Sequence, residues 1–208
     1  PTLLNPHFAV GTKDQDGSRL FYEPLANWDA DGNLKPVLAA SIPNREDGTL
    51  AADGKSVTWK LKKGVTWHDG RPFTADDVVF TWEYSRNPAT ATLTSGSYKD
   101  VMVEKIDQYS VVVKFARPTP FWADAFVSSA GMIIPKHVFA DYSGDKSRDA
   151  PANLAPVGTG QLDALAWFAL QAGDWYGRPH RAAPARVGPS PTASGGPRLR
   201  AGGPRSPG

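Results

Sequence analysis

The apolar pattern of this chain changes period between Lys55 and Asn87, and that change restricts the folds open to it. From Lys55 to Lys62, Val57, Trp59 and Leu61 alternate with Ser56, Thr58, Lys60 and Lys62. A period of two describes a strand with one buried face. The loop His68-Asp69-Gly70-Arg71-Pro72 follows, and then Thr74-Ala75-Asp76-Asp77, an acid three positions after a hydroxyl residue. This is close to a capping box, and Val78, Val79 and Trp82 supply the apolar stripe of the helix it opens. Asn87-Pro88 should end that helix, because the residue before proline is pushed out of the helical region. Strand, loop and helix in direct succession imply a mixed α/β domain with a helix against a sheet.

The flanking segments fit such a domain. Residues 1–50 read as short extended pieces separated by Asn5-Pro6, Asp16-Gly17, Asp31-Gly32 and Asp47-Gly48, dipeptides that favour turns. Leu20 to Leu25 reads as a short helix or buried turn. Val101–Ile106 and Tyr109–Phe115 form a predicted hairpin across Asp107-Gln108, with Val111, Val113 and Phe115 on one face. A short helix is expected after Pro120, with Phe121, Ala125 and Phe126 on one side, and another after Ile134-Pro135. Residues 143–155 read as polar loop, and Pro156 to Gly160 as a tight glycine-rich turn.

Beyond that turn the composition shifts. Residues 161–176 are a short apolar stretch with Trp167, Phe168 and Trp175. The 32 residues from Gly177 hold seven prolines and seven glycines, above the roughly 25–30% at which low-complexity disorder is the default. The same 32 residues carry six arginines and no acid, so the overall net charge of +2 conceals a net −4 over residues 1–176. A basic disordered tail suits nucleic acid or an anionic surface, but this one lacks lysine clusters and interleaved aromatics. No nucleic-acid partner is expected. The chain has no cysteine, which removes disulfides and thiolate chemistry.

No residue set points to catalysis or a metal. The four histidines, His7, His68, His137 and His180, are scattered, whereas zinc needs convergent ligands. His68 reads as a structural hydrogen-bonder in its loop. Asp76-Asp77 resembles a carboxylate pair, but in a first helical turn the free N–H groups and the macrodipole explain it. Gly158-Thr159-Gly160 lacks the lysine and spacing of a phosphate loop, and Ser95-Gly96-Ser97 is not a nucleophile elbow. An enzyme without a recognisable catalytic set stands as the competing class. Core packing is the simplest reading of most tryptophans, with Trp28 and Tyr22 the better candidates for a ligand surface.

Several stretches resemble the family 5 extracellular solute-binding proteins, the oligopeptide-, dipeptide- and nickel-binding type. They are Thr2 to His7, Tyr22-Glu23-Pro24-Leu25 with Leu34 to Ala39, Trp59 to Val78, Ile134 to His137 and Pro156 to Gly160. The run Trp59-Lys-Leu-Lys-Lys-Gly-Val-Thr-Trp-His-Asp-Gly-Arg-Pro-Phe-Thr-Ala-Asp-Asp-Val78 is the most specific. The resemblance spans residues 2–160 and implies an incomplete lobe of the type II periplasmic-binding-protein-like fold over 1–160. After Gly160 it stops. The bias of 161–208 is that of a GC-rich gene read out of frame, so these residues are expected to be foreign to the family, with 177–208 a disordered tail.

What the resemblance implies is capture of a peptide or related small solute for an ABC importer. The partners would be the ligand and the permease subunits, with contact to the membrane only through the permease. Neither a cofactor nor a metal is implied. Location would be periplasmic or otherwise extracytoplasmic, after export by a signal peptide ahead of Pro1. Tyr22 and Glu23 fall where family members line the cleft, and Thr94 to Tyr98 on a loop near the ligand. With Trp28, the implied ligand-binding set is Tyr22, Glu23, Trp28, Thr94 and Tyr98. For Glu23, capping of local backbone is the equal alternative.

Overall fold

The computed structural model describes residues 3–162 of the 208. The expectations for the stretch beyond Leu162, including the tail from Gly177, lie outside the described residues. The described residues form a mixed α/β domain around two apolar clusters.

The first cluster is built on the predicted unit. Strand β3 (Ser56–Lys60) pairs with β5 (Ser110–Phe115), and β5 with β4 (Val101–Asp107), all antiparallel. Val57 and Trp59 of β3 and Val111 and Val113 of β5 are fully buried, as the alternation requires. The hairpin turn falls at Gln108-Tyr109, one residue later than expected, because β4 runs on through a register irregularity between Lys105 and Asp107. Helix α2 (Ala75–Arg86) packs on this sheet. Thr74 caps it reciprocally with Asp77 and Asn87 ends it, as the sequence indicates.

The second cluster lies on the far side of α2, where Phe80 and Tyr84 meet Leu4, Phe8, Phe21, Tyr22, Ile134 and Phe139. Here the structure departs from several expectations. Asp16-Gly17 is not a turn but lies inside α1 (Gly11–Arg19), and residues 20–25 are the buried turn and extended stretch that follows. Strands β1 (Ala26–Trp28) and β2 (Leu34–Pro36) form a separate two-stranded ribbon.

The helix expected after Pro120 is absent. Phe121 is two-thirds exposed, and Phe126 adopts φ 67°, a left-handed conformation that no helix accommodates. Helix α3 (Lys136–Phe139) forms after Pro135 as read. The polar stretch 143–155 is a chain of 3₁₀ turns rather than open loop, fastened by Ser147 and Asn153, both buried. Asn153 reaches back to the N-terminal segment, accepting from Asn5 at 3.0 Å through its side chain and from the Leu4 N–H at 2.8 Å through its carbonyl.

Candidate functional site

The N-terminal segment builds the floor of a surface concavity. Asn5 caps the turn Pro6–Phe8 by accepting the His7 N–H, and this drives the His7 ring into the interior. Its Nδ1 lies 2.7 Å from Thr94 Oγ1 and 3.2 Å from Ser85 Oγ on α2. Burial lowers the imidazole pKa to about 4, the backbone of Met132 opposing this only in part, so the ring is neutral at physiological pH. The Leu93 N–H donates to the His7 carbonyl. Loop 93–97 therefore rests on the N-terminal turn through both backbone and side chain.

Pro6, Gln15, Thr94, Gly96, Ser97 and Ala130 are among the residues around this concavity, whose volume is about 280 Å³. None of its lining side chains is charged. A second hollow of about 600 Å³ shares Gly96 and Ser97 with it and carries Arg117, Asp100, Asp124 and the exposed ring of Phe121.

The segment 126–131, of which Ser129 and Ala130 border the concavity, contains strained backbone. Phe126 and Ser128 both have positive φ, 67° and 58°, a conformation costing of order 1–3 kcal/mol per residue. Surrounding contacts hold it. The Leu25 N–H donates to Phe126, the Ser128 N–H to Ala26 and the Ile133 N–H to Glu23. Gly131 presses so closely that a Cβ there would sit 2.1 Å from the Phe126 carbonyl carbon. Tyr98 completes the wall by donating its hydroxyl to the Ala130 carbonyl at 3.0 Å.

The five residues singled out in the sequence occupy four kinds of place. Thr94 borders the concavity. Tyr98 is fully buried, its ring edge-on to Phe126, and burial pushes its phenol pKa up. Its side chain supports the wall and presents no surface. Tyr22 is likewise buried, its phenol raised by burial with only partial relief from the Val157 backbone. Glu23 is half-buried and accepts a 2.9 Å hydrogen bond from the Thr159 hydroxyl. Trp28, at the end of β1, is 53% exposed.

Sequence reasoning missed His7 and the 126–131 turn. His7 lies 78 and 87 positions from the hydroxyls it meets, so no local spacing announces it. Nor does any residue type mark the turn, since phenylalanine and serine rarely adopt positive φ.

Residues 33–162 match the family described as bacterial extracellular solute-binding proteins, family 5. The oligopeptide-binding protein AppA of Bacillus subtilis is 33% identical over 190 residues, covering 86% of this chain and 34% of its own. The periplasmic oligopeptide-binding protein OppA of Escherichia coli is 28% identical over 173 residues, 74% of this chain and 30% of its own. This chain thus spans about a third of the length of these relatives. In structure, AppA of Bacillus subtilis in complex with a nonapeptide gives a TM-score of 0.66 at 29% identity, covering 77% of this chain and 31% of that one. NikZ of Campylobacter jejuni in complex with Ni(L-His) gives 0.64 at 28%, covering 78% and 30%. The fold over the shared residues is that of the type II periplasmic binding proteins.

Proposed function

This chain belongs to the bacterial extracellular solute-binding proteins of family 5, and from that premise we propose that it serves solute capture for an ABC importer. Residues 1–160 supply one wall of a ligand cleft outside the cytoplasmic membrane. The permease is the macromolecular partner, and the function is binding without a chemical step.

The ligand class we favour is a short peptide. The observation that carries this is the lining of the concavity at Thr94. It offers hydroxyls, a glutamine amide and backbone but no charge. Such a surface suits the amide groups common to all peptides, whereas a free ion would require charged or metal-ligating groups. Thr94, Gly96 and Ser97 make this contact, Glu23 faces a cationic group of the ligand, and Trp28 offers an exposed ring at the rim. Tyr22 and Tyr98 act from behind, holding the backbone that carries the others.

A single wall sets the expected strength. A closed cleft of micromolar Kd corresponds to about −8 kcal/mol, and half of that leaves a Kd near millimolar. Titration of the 208-residue chain with trialanine, followed by backbone amide NMR, should shift Glu23, Thr94, Gly96 and Ser97 with saturation at millimolar peptide. Calorimetry at micromolar concentrations should show no heat. Tight micromolar binding would refute the single-wall reading, and unmoved amides at Thr94–Ser97 would refute the site.

A further inference from the structure

His68 belongs to the loop between β3 and α2, yet its backbone N–H and both ring nitrogens engage one remote turn, Gly158-Thr159-Gly160. Its backbone N–H donates to the Gly158 carbonyl at 2.9 Å. Its Nδ1 accepts the Gly158 N–H at 3.1 Å, and its Nε2 lies 2.8 Å from the Gly160 carbonyl. A backbone N–H can only donate and a carbonyl can only accept, so the pair selects the neutral ring with the proton on Nε2.

The other side of the same turn is pressed onto residues 20–23. The Gly160 N–H donates to Phe21 at 2.8 Å and the Leu162 N–H to Leu20 at 3.2 Å. A Cβ on Gly158 would lie 1.8 Å from the Phe21 carbonyl oxygen, and one on Gly160 would lie 2.7 Å from that of Leu20. Between these two glycines stands Thr159, whose hydroxyl holds the Glu23 carboxylate.

We propose that His68 is a positioning residue for Glu23: it clamps the Gly158–Gly160 turn so that the Thr159 hydroxyl fixes the carboxylate at the ligand wall. This rests on the assignment of Glu23 to ligand contact made above. Glutamate is among the side chains that lose most rotamer freedom when ordered. Holding it before the ligand arrives removes that cost from binding. The arrangement couples two segments 45 residues apart, at positions 23 and 68, through a third at 158–160.

The test uses the 208-residue chain and the trialanine titration. Imidazole ¹⁵N resonances of His68 should show a bare Nδ1 and a protonated Nε2; the opposite tautomer overturns the clamp. His68→Leu should abolish the peptide-induced shift at Glu23 while leaving those at Thr94–Ser97 in place. His68→Gln, whose amide keeps one donor and one acceptor, should restore it. Thr159→Val, which removes only the hydroxyl, should reproduce the loss at Glu23 with the His68 tautomer unchanged. Should His68→Leu fail to fold, Thr159→Val and the ¹⁵N resonances decide. A wild-type chain without shifts at Thr94–Ser97 defeats the functional reading. One with those shifts, whose Glu23 response survives in Thr159→Val, defeats the positioning role alone.

Discussion

Asp77 and Lys136 join the two helices flanking the apolar cluster of Phe80, Tyr84 and Phe139. Asp77 Oδ1 accepts the Lys136 N–H at 2.9 Å while Oδ2 accepts the Thr74 N–H at 2.9 Å. One carboxylate thus caps α2 and receives the first turn of α3. Burial raises its pKa, opposed by the N–H groups of Lys136 and Thr74.

Removing the two halves of this cap should have unequal effects. Thr74→Ala deletes one side-chain acceptor and should cost about 1 kcal/mol. Asp77→Ala strands two backbone N–H groups and should cost about 2–4 kcal/mol. Urea denaturation midpoints measure both, and equal losses would show that the Lys136 contact contributes nothing.

His7 should make the domain sensitive to acid. Its imidazole binds a proton near 6.5 in the unfolded chain and at about 4 when folded. Between those values the unfolded state holds more protons, so stability rises with pH across the window. Full passage from about pH 6.5 to 4 should remove roughly 3 kcal/mol. The raised carboxyl of Asp77 acts in the opposite sense near the ordinary carboxylate range. The slope is therefore best read above about pH 5. A His7→Asn variant should flatten it; an unchanged slope would assign the effect elsewhere.

Two buried tryptophans should respond differently to phenylalanine. Trp59 is fully buried and its Nε1–H meets no acceptor among the described residues. The cavity left by Trp59→Phe, about 1 kcal/mol, is offset by relief of an unpaired N–H, about 1–3 kcal/mol. The net change should lie within about 1 kcal/mol of zero or be stabilising. Trp82 donates to the Val101 carbonyl at 3.0 Å and stacks under Arg86 at 4.6 Å, so Trp82→Phe should cost about 2 kcal/mol. Thermal midpoints of the two variants give the comparison.

Gly96 borders the concavity and Gly131 follows its lining residue Ala130, and the two should separate stability from binding. A methyl at Gly131 collides with the Phe126 backbone, so Gly131→Ala should destabilise by about 3 kcal/mol or more. Gly96 has open space around its Cβ direction. Gly96→Ala should fold normally yet weaken trialanine binding by placing a methyl in the hollow. Unchanged binding would move the ligand away from loop 94–97.

Much of the fold was legible because its signals are local. The β3 alternation, the Thr74–Asp77 box and the stop at Asn87 each depend on residues a few positions apart, where backbone geometry sets which side chains share a face. The misread places are those where tertiary contacts outweigh local preference. Asp16-Gly17 resembles a turn, but Ser18, one position on, buries its hydroxyl against the Leu4 and Asp14 carbonyls and the helix continues. Phe126 would suit a helix by composition, but it is held at positive φ as the turn it opens closes against Leu25, Ala26 and Gly131.

The candidate site divides along the same line. By itself the amino-acid sequence determined the α/β class, the buried and exposed faces of its main strand and helix, and the family. Tertiary structure alone decided that Tyr22 and Tyr98 are buried, that His7 underlies Thr94, and that His68 grips the turn holding Glu23. Those contacts join positions up to 136 residues apart. A chain's local pattern encodes which face is apolar, but the partner across the core depends on how every intervening segment packs.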